Sequence, residues 1–293
     1  MIVDTESLVT SCLPEADPRS FSRFNLLSAT LTASLARRLV DAGAPGVGVV
    51  CPYRAQARLL DALLREAAVM RAATTHRFQG SERDAVLLDL TDADPQEGPS
   101  LLTGRDSDLA LRLLNVGVSR ARGKLLLIAD VGFLRDRHPP TSPTRALLEL
   151  AEEEGAVTVD ASQVVSDIGG HEQIRWAANW EMAIADLLDR PLHRSTELDV
   201  SVASPDQAGA WLDHVARELP ALGHVVTVRA PAPIAARLES APVELRLRTL
   251  GPAPIAFLGE AAMAVGSADP AKPAVCVAQE AVIAAARRRL LAD

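Results

Sequence analysis

The stretch THRFQGSERDAVLLDL, Thr75 to Leu90, decides how the rest of the chain is read. Its second half, AVLLDL, is an uninterrupted apolar run of about the length of a buried strand. Its first half puts His, Arg, Gln, Gly, Ser, Glu, Arg and Asp into one connection, directly after another apolar run, MRAAT (70–74). A link between two strands needs only a turn. Hydrogen-bonding groups at this density ask for a further reason.

On both sides of this stretch the chain alternates in type. IVDT (2–5) reads as a short strand and NLLSATLTASLARRLVDAG (25–43) as an amphipathic helix stopped by Gly43. VGVVCP (47–52) is a strand and RAQARLLDALLREAA (54–68) a helix. SDLALRLLNVGVSRAR (107–122) opens on a Ser-Asp cap and continues as a helix. KLLLIAD (124–130) has no polar interruption until its end, as expected of a strand covered on both faces. TRALLELAEEEG (144–155) and VTVD (157–160) follow as helix and strand. This alternation predicts an α/β fold with a parallel sheet covered by helices. Ligands of such sheets bind at the carboxyl ends of the strands. PYRAQ (52–56), THRFQGSERD (75–84) and the polar residues after AVLLDL are therefore expected to cluster at that edge.

The chain has 293 residues, enough for two domains, and 48% of them are apolar, enough for two cores. No apolar run is long enough to span a membrane, and the start MIVDTESLV lacks the basic segment of a secretory signal, so a cytoplasmic protein with no membrane partner is expected. Cys12, Cys51 and Cys276 are odd in number and far apart, which points away from disulfides and zinc. The formal charge of −8 is uneven: residues 1–150 carry 18 basic and 18 acidic side chains, and the remainder carries 12 and 20. Only the first half can offer a local cationic groove to a polyanion.

SDIGGHEQ (166–173) marks a boundary, giving domains over 1–160 and 172–293. The second domain reads as helix (174–189), strand (197–204), helix (206–222) and strand (224–230). Weaker strands follow at 243–250 and 263–267, with a last helix over 277–291. That is a smaller α/β domain.

Three segments then align: VGVVCPYRAQ (47–56), TTHRFQGSERDAVLLDL (74–90) and LLNVGVSRARGKLLLIAD (113–130). In this order and spacing they resemble the late motifs of superfamily 1 helicases, in the 1B branch that includes the RNA-surveillance and replication-processing enzymes. SRFNLLSA (22–29) is weakly similar to an upstream element of the same family. The resemblance covers roughly residues 1–135 and implies the second RecA-like lobe of such a motor. It implies ATP with Mg2+ between two lobes, and single-stranded nucleic acid across their tops, with DNA preferred and RNA left open. Arg120 would be the catalytic arginine finger reaching a γ-phosphate. Glu82 would accept hydrogen bonds from a ribose, and Gly80 would let the backbone approach the nucleotide. Gln79 would couple nucleotide to strand, with Arg122 and Tyr53 completing the nucleotide side. Thr75, His76 and Gln56 would face the nucleic acid. Plainer roles stand beside these: Arg83 and Asp84 as a solvated loop pair, Arg122 on helix-end carbonyls, Tyr53 as amphipathic packing, and His76 as a structural histidine.

A motor also needs a phosphate-binding loop, G-x-x-x-x-G-K-[ST]. Lys occurs only at 124 and 272, followed by Leu and Pro, and no Asp-Glu pair occurs. The chain is thus expected to depend on a first RecA-like lobe in cis or in trans, as a truncated or split motor, and not to hydrolyse ATP by itself. The second half resembles the opening of a phospholipase D-like domain. Aligned on Gly266-Ser267, that family's His, Lys and Asp positions fall on Pro252, Pro254 and Gly259, so the resemblance implies a degenerate, inactive member. Two other readings stay open: a non-enzymatic nucleic-acid or partner-binding module, and a phosphodiesterase or nuclease acting through the second domain.

Overall fold

A computed structural model describes residues 1–15, 20, 22–65, 72–74, 82–96, 101–102, 107–168, 170–171, 173–192 and 196–291. The chain divides into two compact units, Met1–Ile168 and Gly169–Asp293. The first contains β1 (Ile2–Asp4), β2 (Cys12–Pro14), β3 (Arg23–Asn25), α1 (Leu26–Asp41), β4 (Val47–Cys51), α2 (Arg54–Leu63) and β5 (Ala72–Thr74). It continues with β6 (Arg83–Asp89), α3 (Ser107–Val118), β7 (Ala121–Ala129), α4 (Val131–Arg137), α5 (Pro143–Glu153), β8 (Thr158–Asp160) and α6 (Ala161–Ile168). Six strands form one sheet in the order β5-β4-β6-β7-β1-β8, and every pairing is parallel. Helices flank it, as the alternation of the sequence requires.

Local chemistry sets the helix ends. The Asn25 side chain accepts a hydrogen bond from the Ser28 N–H at the start of α1, and Gly43 beyond its end adopts φ +84°, where a side chain would be strained. Ser142 caps α5, with Pro143 in its first turn. Buried positions of β1, β4, β6 and β7 (Ile2, Val50, Val86, Leu88 and Leu127 among them) make one apolar core with Leu114 and Leu148 of the helices.

Two segments differ from the sequence expectation. The helix expected over 107–122 stops at Val118, Ser119 and Arg120 form a turn, and Ala121 already belongs to the nine-residue β7. Pairing with β6 explains this, because the Arg83 N–H donates to the Arg120 carbonyl at 2.8 Å. A helix through Ala121 would leave the start of β6 without that partner. In the second unit, Ile174–Ala177 is a strand, and the helix begins only after Asn179, whose side chain accepts from the Met182 N–H.

That unit contains β9 (Gly170–His171), β10 (Ile174–Ala177), α7 (Trp180–Leu188), β11 (Glu197–Ser201), α8 (Pro205–Ala221) and β12 (Val225–Arg229). Then come α9 (Ala232–Arg237), β13 (Glu244–Arg246), β14 (Ile255–Leu258), β15 (Ala262–Val265), β16 (Ala274–Val277) and α10 (Glu280–Leu290). Its eight strands form a mixed sheet in the order β13-β12-β11-β14-β15-β16-β10-β9. β14 and β16 were not apparent as strands in the sequence, and the last helix starts at Glu280, because Val277 ends β16. The chain is α/β in both units.

One buried carboxyl in the first unit predicts a pH dependence. Asp130 caps α4 by accepting from the Phe133 N–H at 2.9 Å. Burial, and beyond it the neighbouring Asp4, Glu6 and Asp94, push its pKa up to about 6. A carboxyl raised above its unfolded value near 3.9 favours the protonated fold. Its contribution is full below about pH 4 and is lost as pH rises through about 6. Asp130→Asn keeps a capping oxygen and removes the charge. We expect it to stabilise the protein by about 1–2 kcal/mol at pH 7.5 and by nothing measurable at pH 4. Urea midpoints at the two pH values test this, and equal differences at both would exclude Asp130 as the source.

Candidate functional site

The sheet separates the motif residues instead of collecting them. In the parallel register Cys51 lies opposite Thr74, and Val50 opposite Leu88, so β4, β5 and β6 end together at the carboxyl edge. Arg83 opposes Ala121 and Asp89 opposes Ile128, so Glu82, Arg83, Arg120 and Arg122 stand at the amino edge. β6 has seven residues, so the two edges are about 20 Å apart. The expectation that PYRAQ and all of THRFQGSERD share the carboxyl edge is therefore corrected. β5 and β6 both run parallel to β4, so Thr74 at the end of β5 and Arg83 at the start of β6 lie at opposite edges.

At the amino edge, Arg122 Nε donates to Glu82 Oε2 at 2.6 Å. This hydrogen bond, together with the charge of Arg122, holds the Glu82 carboxyl below the ordinary glutamate range. Both side chains are exposed, and an exposed ion pair adds little to stability, so it can exchange for another partner at little cost. The register slips here. From Arg83 to Ala85 on β6 the opposing residue advances from Ala121 to Lys124, one more step than β6 takes. Such an irregularity re-aims side chains at the end of a strand, and here it falls on Arg122 and Gly123. A Cβ on Gly123 would lie 3.0 Å from the Asp84 carbonyl oxygen, so the close approach favours a glycine. Arg120 precedes β7 in the turn after α3 and is half-buried. Its Nε is buried and has no hydrogen-bond partner among the described residues. Arg122 is thus a strand residue paired with Glu82, not a helix-end residue beside Arg120.

At the carboxyl edge, Tyr53 is 1% exposed and Gln56 0% exposed. The Tyr53 hydroxyl donates to Asp92 Oδ2 at 2.9 Å and accepts from the Leu101 N–H at 3.2 Å, and Arg23 pairs with Asp92 while lying over the Tyr53 ring. Gln56 Nε2 donates to Asp89 Oδ2 at 2.7 Å, and Gln56 Oε1 accepts from the Asn25 N–H at 2.9 Å. Both motif residues are thus occupied inside the domain. Tyr53 lies at the edge opposite Glu82, so the sheet does not bring together these two residues, which the sequence reading placed on one site. Gln56 has no surface to present to a nucleic acid. Thr75, His76, Gln79 and Gly80 lie outside the described residues.

Sequence reasoning missed Asp89, Asp92, Asn25, Ser28 and Arg23. A signal was present: AVLLDLTDAD carries charge at the end of an otherwise apolar run in a sheet covered on both faces, where a carboxylate must find donors.

In the second unit, Pro254 precedes β14, and the Gly266 N–H donates to its carbonyl at 2.9 Å. Pro252, Pro254, Gly266 and Ser267 thus share one end of the β14–β15 hairpin, while Gly259 sits in the turn at the other end. Trp180 fills the shared end: a Cβ on Gly266 would lie 2.6 Å from Pro254 Cγ and 3.0 Å from Trp180 Cε3. Gln207 ties the same loops together, donating to the Pro252 and Ala268 carbonyls.

Residues 2–132 match the family AAA_12, described as an AAA domain. "DNA replication ATP-dependent helicase/nuclease DNA2" of Mus musculus is 30% identical over 120 residues, and that of Bos taurus 29% over the same length. Each alignment covers 40% of this chain and 11% of the relative, so the chain spans about a tenth of the length of these curated relatives. A solved structure of TrmBL2, an archaeal chromatin protein, aligns over 55% of this chain and 66% of its own, at 13% identity and a TM-score of 0.32, a likeness too loose to bear on fold or function. Among the described residues no helix is long and apolar enough to cross a membrane. The match of residues 2–132 and the curated relatives support a helicase-type domain over that part of the chain.

Proposed function

We propose that residues 1–160 are the second motor lobe of an ATP-dependent superfamily 1B helicase, with the amino edge of its sheet facing the nucleotide and the carboxyl edge facing a single nucleic-acid strand. The observation that carries this reading is Arg120: a half-buried guanidinium at the amino edge, with a buried Nε that has no partner among the described residues, one turn away from the Arg122–Glu82 pair. This donor set fits a nucleotide. Arg120 offers a planar fork of charge to a phosphate, Glu82 can accept from ribose hydroxyls once Arg122 turns to the anion, and the pair can open at little cost. Magnesium-bound ATP would supply the phosphoanhydride, and this chain would supply charge stabilisation at its oxygens. The phosphate-binding loop would come from a first lobe, in cis or in trans, because these 293 residues hold no G-x-x-x-x-G-K-[ST]. DNA is the favoured strand, since the curated relatives are named for DNA replication.

The second unit, over 172–293, is in this reading a degenerate phospholipase D-like domain. Support comes from Pro252 and Pro254 beside Gly266-Ser267, with Trp180 packed against Gly266.

The test is steady-state ATP turnover with single-stranded DNA present. The chain by itself should give no turnover above background, and turnover should emerge when a phosphate-binding lobe is supplied. Turnover of ordinary helicase size by the chain alone, lost in Arg120→Ala, would contradict the shared-site reading.

A further inference from the structure

Asp89 ends β6 at the carboxyl edge, is 0% exposed, and has no ion-pair partner among the described residues. Four residues from three separate segments donate to it. Ser28 Oγ and the Thr91 N–H reach Oδ1, both at 2.9 Å, while Gln56 Nε2 at 2.7 Å and Thr32 Oγ1 at 3.3 Å reach Oδ2. Ser28 and Thr32 belong to α1, Gln56 to the first turn of α2, and Thr91 to the loop after β6. An ionised carboxylate accepts only, and here all its sites face donors. Burial raises its pKa, and the donated hydrogen bonds work against that rise.

A buried carboxylate without a cation is costly, and the donors from α1, α2 and the loop after β6 offset that cost only while those segments keep their places around it. The backbone beside it is also strained. Thr91 has φ +68°, a conformation rare for a β-branched residue, and it is held there by Asp89 and by Asn25 Nδ2 on its carbonyl. Directly after it comes Asp92, which fixes Arg23 and the Tyr53 hydroxyl. On the other side, Gln56 anchors the start of α2, which follows β4, and β4 ends level with Thr74, the residue before Thr75.

We propose that Asp89 is a positioning residue for the strand-facing edge: through Gln56 and the strained Thr91 turn it sets the relative placement of the β3–α1 junction, the PYRAQ segment and the loop after β6. The inference rests on the proposal that a nucleic-acid strand lies on this edge.

The chemistry suggests a polarity swap as the test. Asp89→Asn turns an amide donor onto either the Gln56 amide or the Thr91 N–H and Ser28 hydroxyl, a donor–donor clash. Gln56→Glu sets a second carboxylate against Asp89. The double variant restores a matched pair at Asp89, with the introduced asparagine amide donating to the introduced carboxylate, which still accepts from the Asn25 N–H and loses only the weaker donation to the Asn25 carbonyl at 3.3 Å. Affinity is read on the full chain by fluorescence anisotropy, using labelled oligodeoxythymidine of about 20 nucleotides. The temperature is set well below the unfolding midpoint of each variant. Each single change should weaken binding about tenfold, and the double should return to within about threefold of wild type. If Asp89→Asn does not fold, Gln56→Glu and Ser28→Ala carry the test, Ser28→Ala losing about threefold through one missing donor. Folded variants with lowered midpoints but unchanged affinity, or a double variant as weak as the singles, would overturn the positioning role while leaving the strand-facing edge intact. A wild-type chain that does not bind the oligonucleotide would overturn the strand-facing edge and this inference with it.

Discussion

Arg120→Lys should lower ATP turnover about a thousandfold or more when the chain works with a phosphate-binding lobe, a loss of roughly 4 kcal/mol of transition-state stabilisation. Lysine keeps the charge but loses the planar fork and shortens the reach. Arg120 stands in the turn before β7, and its carbonyl already accepts from the Arg83 N–H. That backbone bond survives the substitution, so the fold should persist. Single-strand affinity should stay nearly unchanged, since the carboxyl edge lies about 20 Å away across β6. A shifted denaturant midpoint with near-normal turnover would make Arg120 a structural residue of the α3–β7 turn and would remove it from the site.

A large effect is also expected in the second unit. Arg229 makes a bidentate pair with Asp199 at 2.9 and 2.8 Å, from the end of β12 to the adjacent β11, and Asp199 is 3% exposed. Arg229→Met leaves that carboxylate buried without its cation, which costs about 3–5 kcal/mol. Asp199→Leu combined with Arg229→Met removes both charges and should recover most of the loss, because two paired charges of this kind are replaced by apolar groups at little net cost. Urea unfolding of wild type, single and double variants measures both numbers. A single-variant cost under about 1 kcal/mol would mean that water reaches Asp199 and that this face of the sheet is open.

The first unit was legible in the sequence because its strands are continuous apolar runs and its helices carry caps. AVLLDL and KLLLIAD gave β6 and β7, and Gly43 marked the stop after α1. The α3–β7 boundary was not legible, since Ala110, Leu113, Leu114, Val118 and Ala121 keep a helical spacing and only pairing with β6 draws Ala121 into a strand. In the second unit, β14 and β16 are four-residue runs between turns, too short for a period to show. The site was legible as a set of residue types but not as a geometry. THRFQGSERD reads as one motif that follows a strand end, yet the parallel sheet puts its last residues, Glu82 to Asp84, at the amino edge. Tyr53 and Gln56 stand in a motif and still face inward, because a sequence pattern carries no record of which polar groups a fold uses up internally. Asp89 went unnoticed for the converse reason: within an apolar run a single Asp looks like a strand end, and its donors other than Thr91 come from segments tens of residues away.

In the proposed motor the amino edge of the first sheet, not the carboxyl edge, meets the nucleotide. The most direct measurement is a structure of this chain joined to a phosphate-binding lobe, with a nonhydrolysable ATP analogue and a single-stranded oligonucleotide bound. The γ-phosphate should lie within hydrogen-bonding distance of Arg120, the ribose beside Glu82 with the Arg122 pair opened, and the strand at the ends of β4 and β5. A nucleotide seated at the carboxyl edge against Tyr53 and Asp92, with Arg120 facing solvent, would contradict this placement.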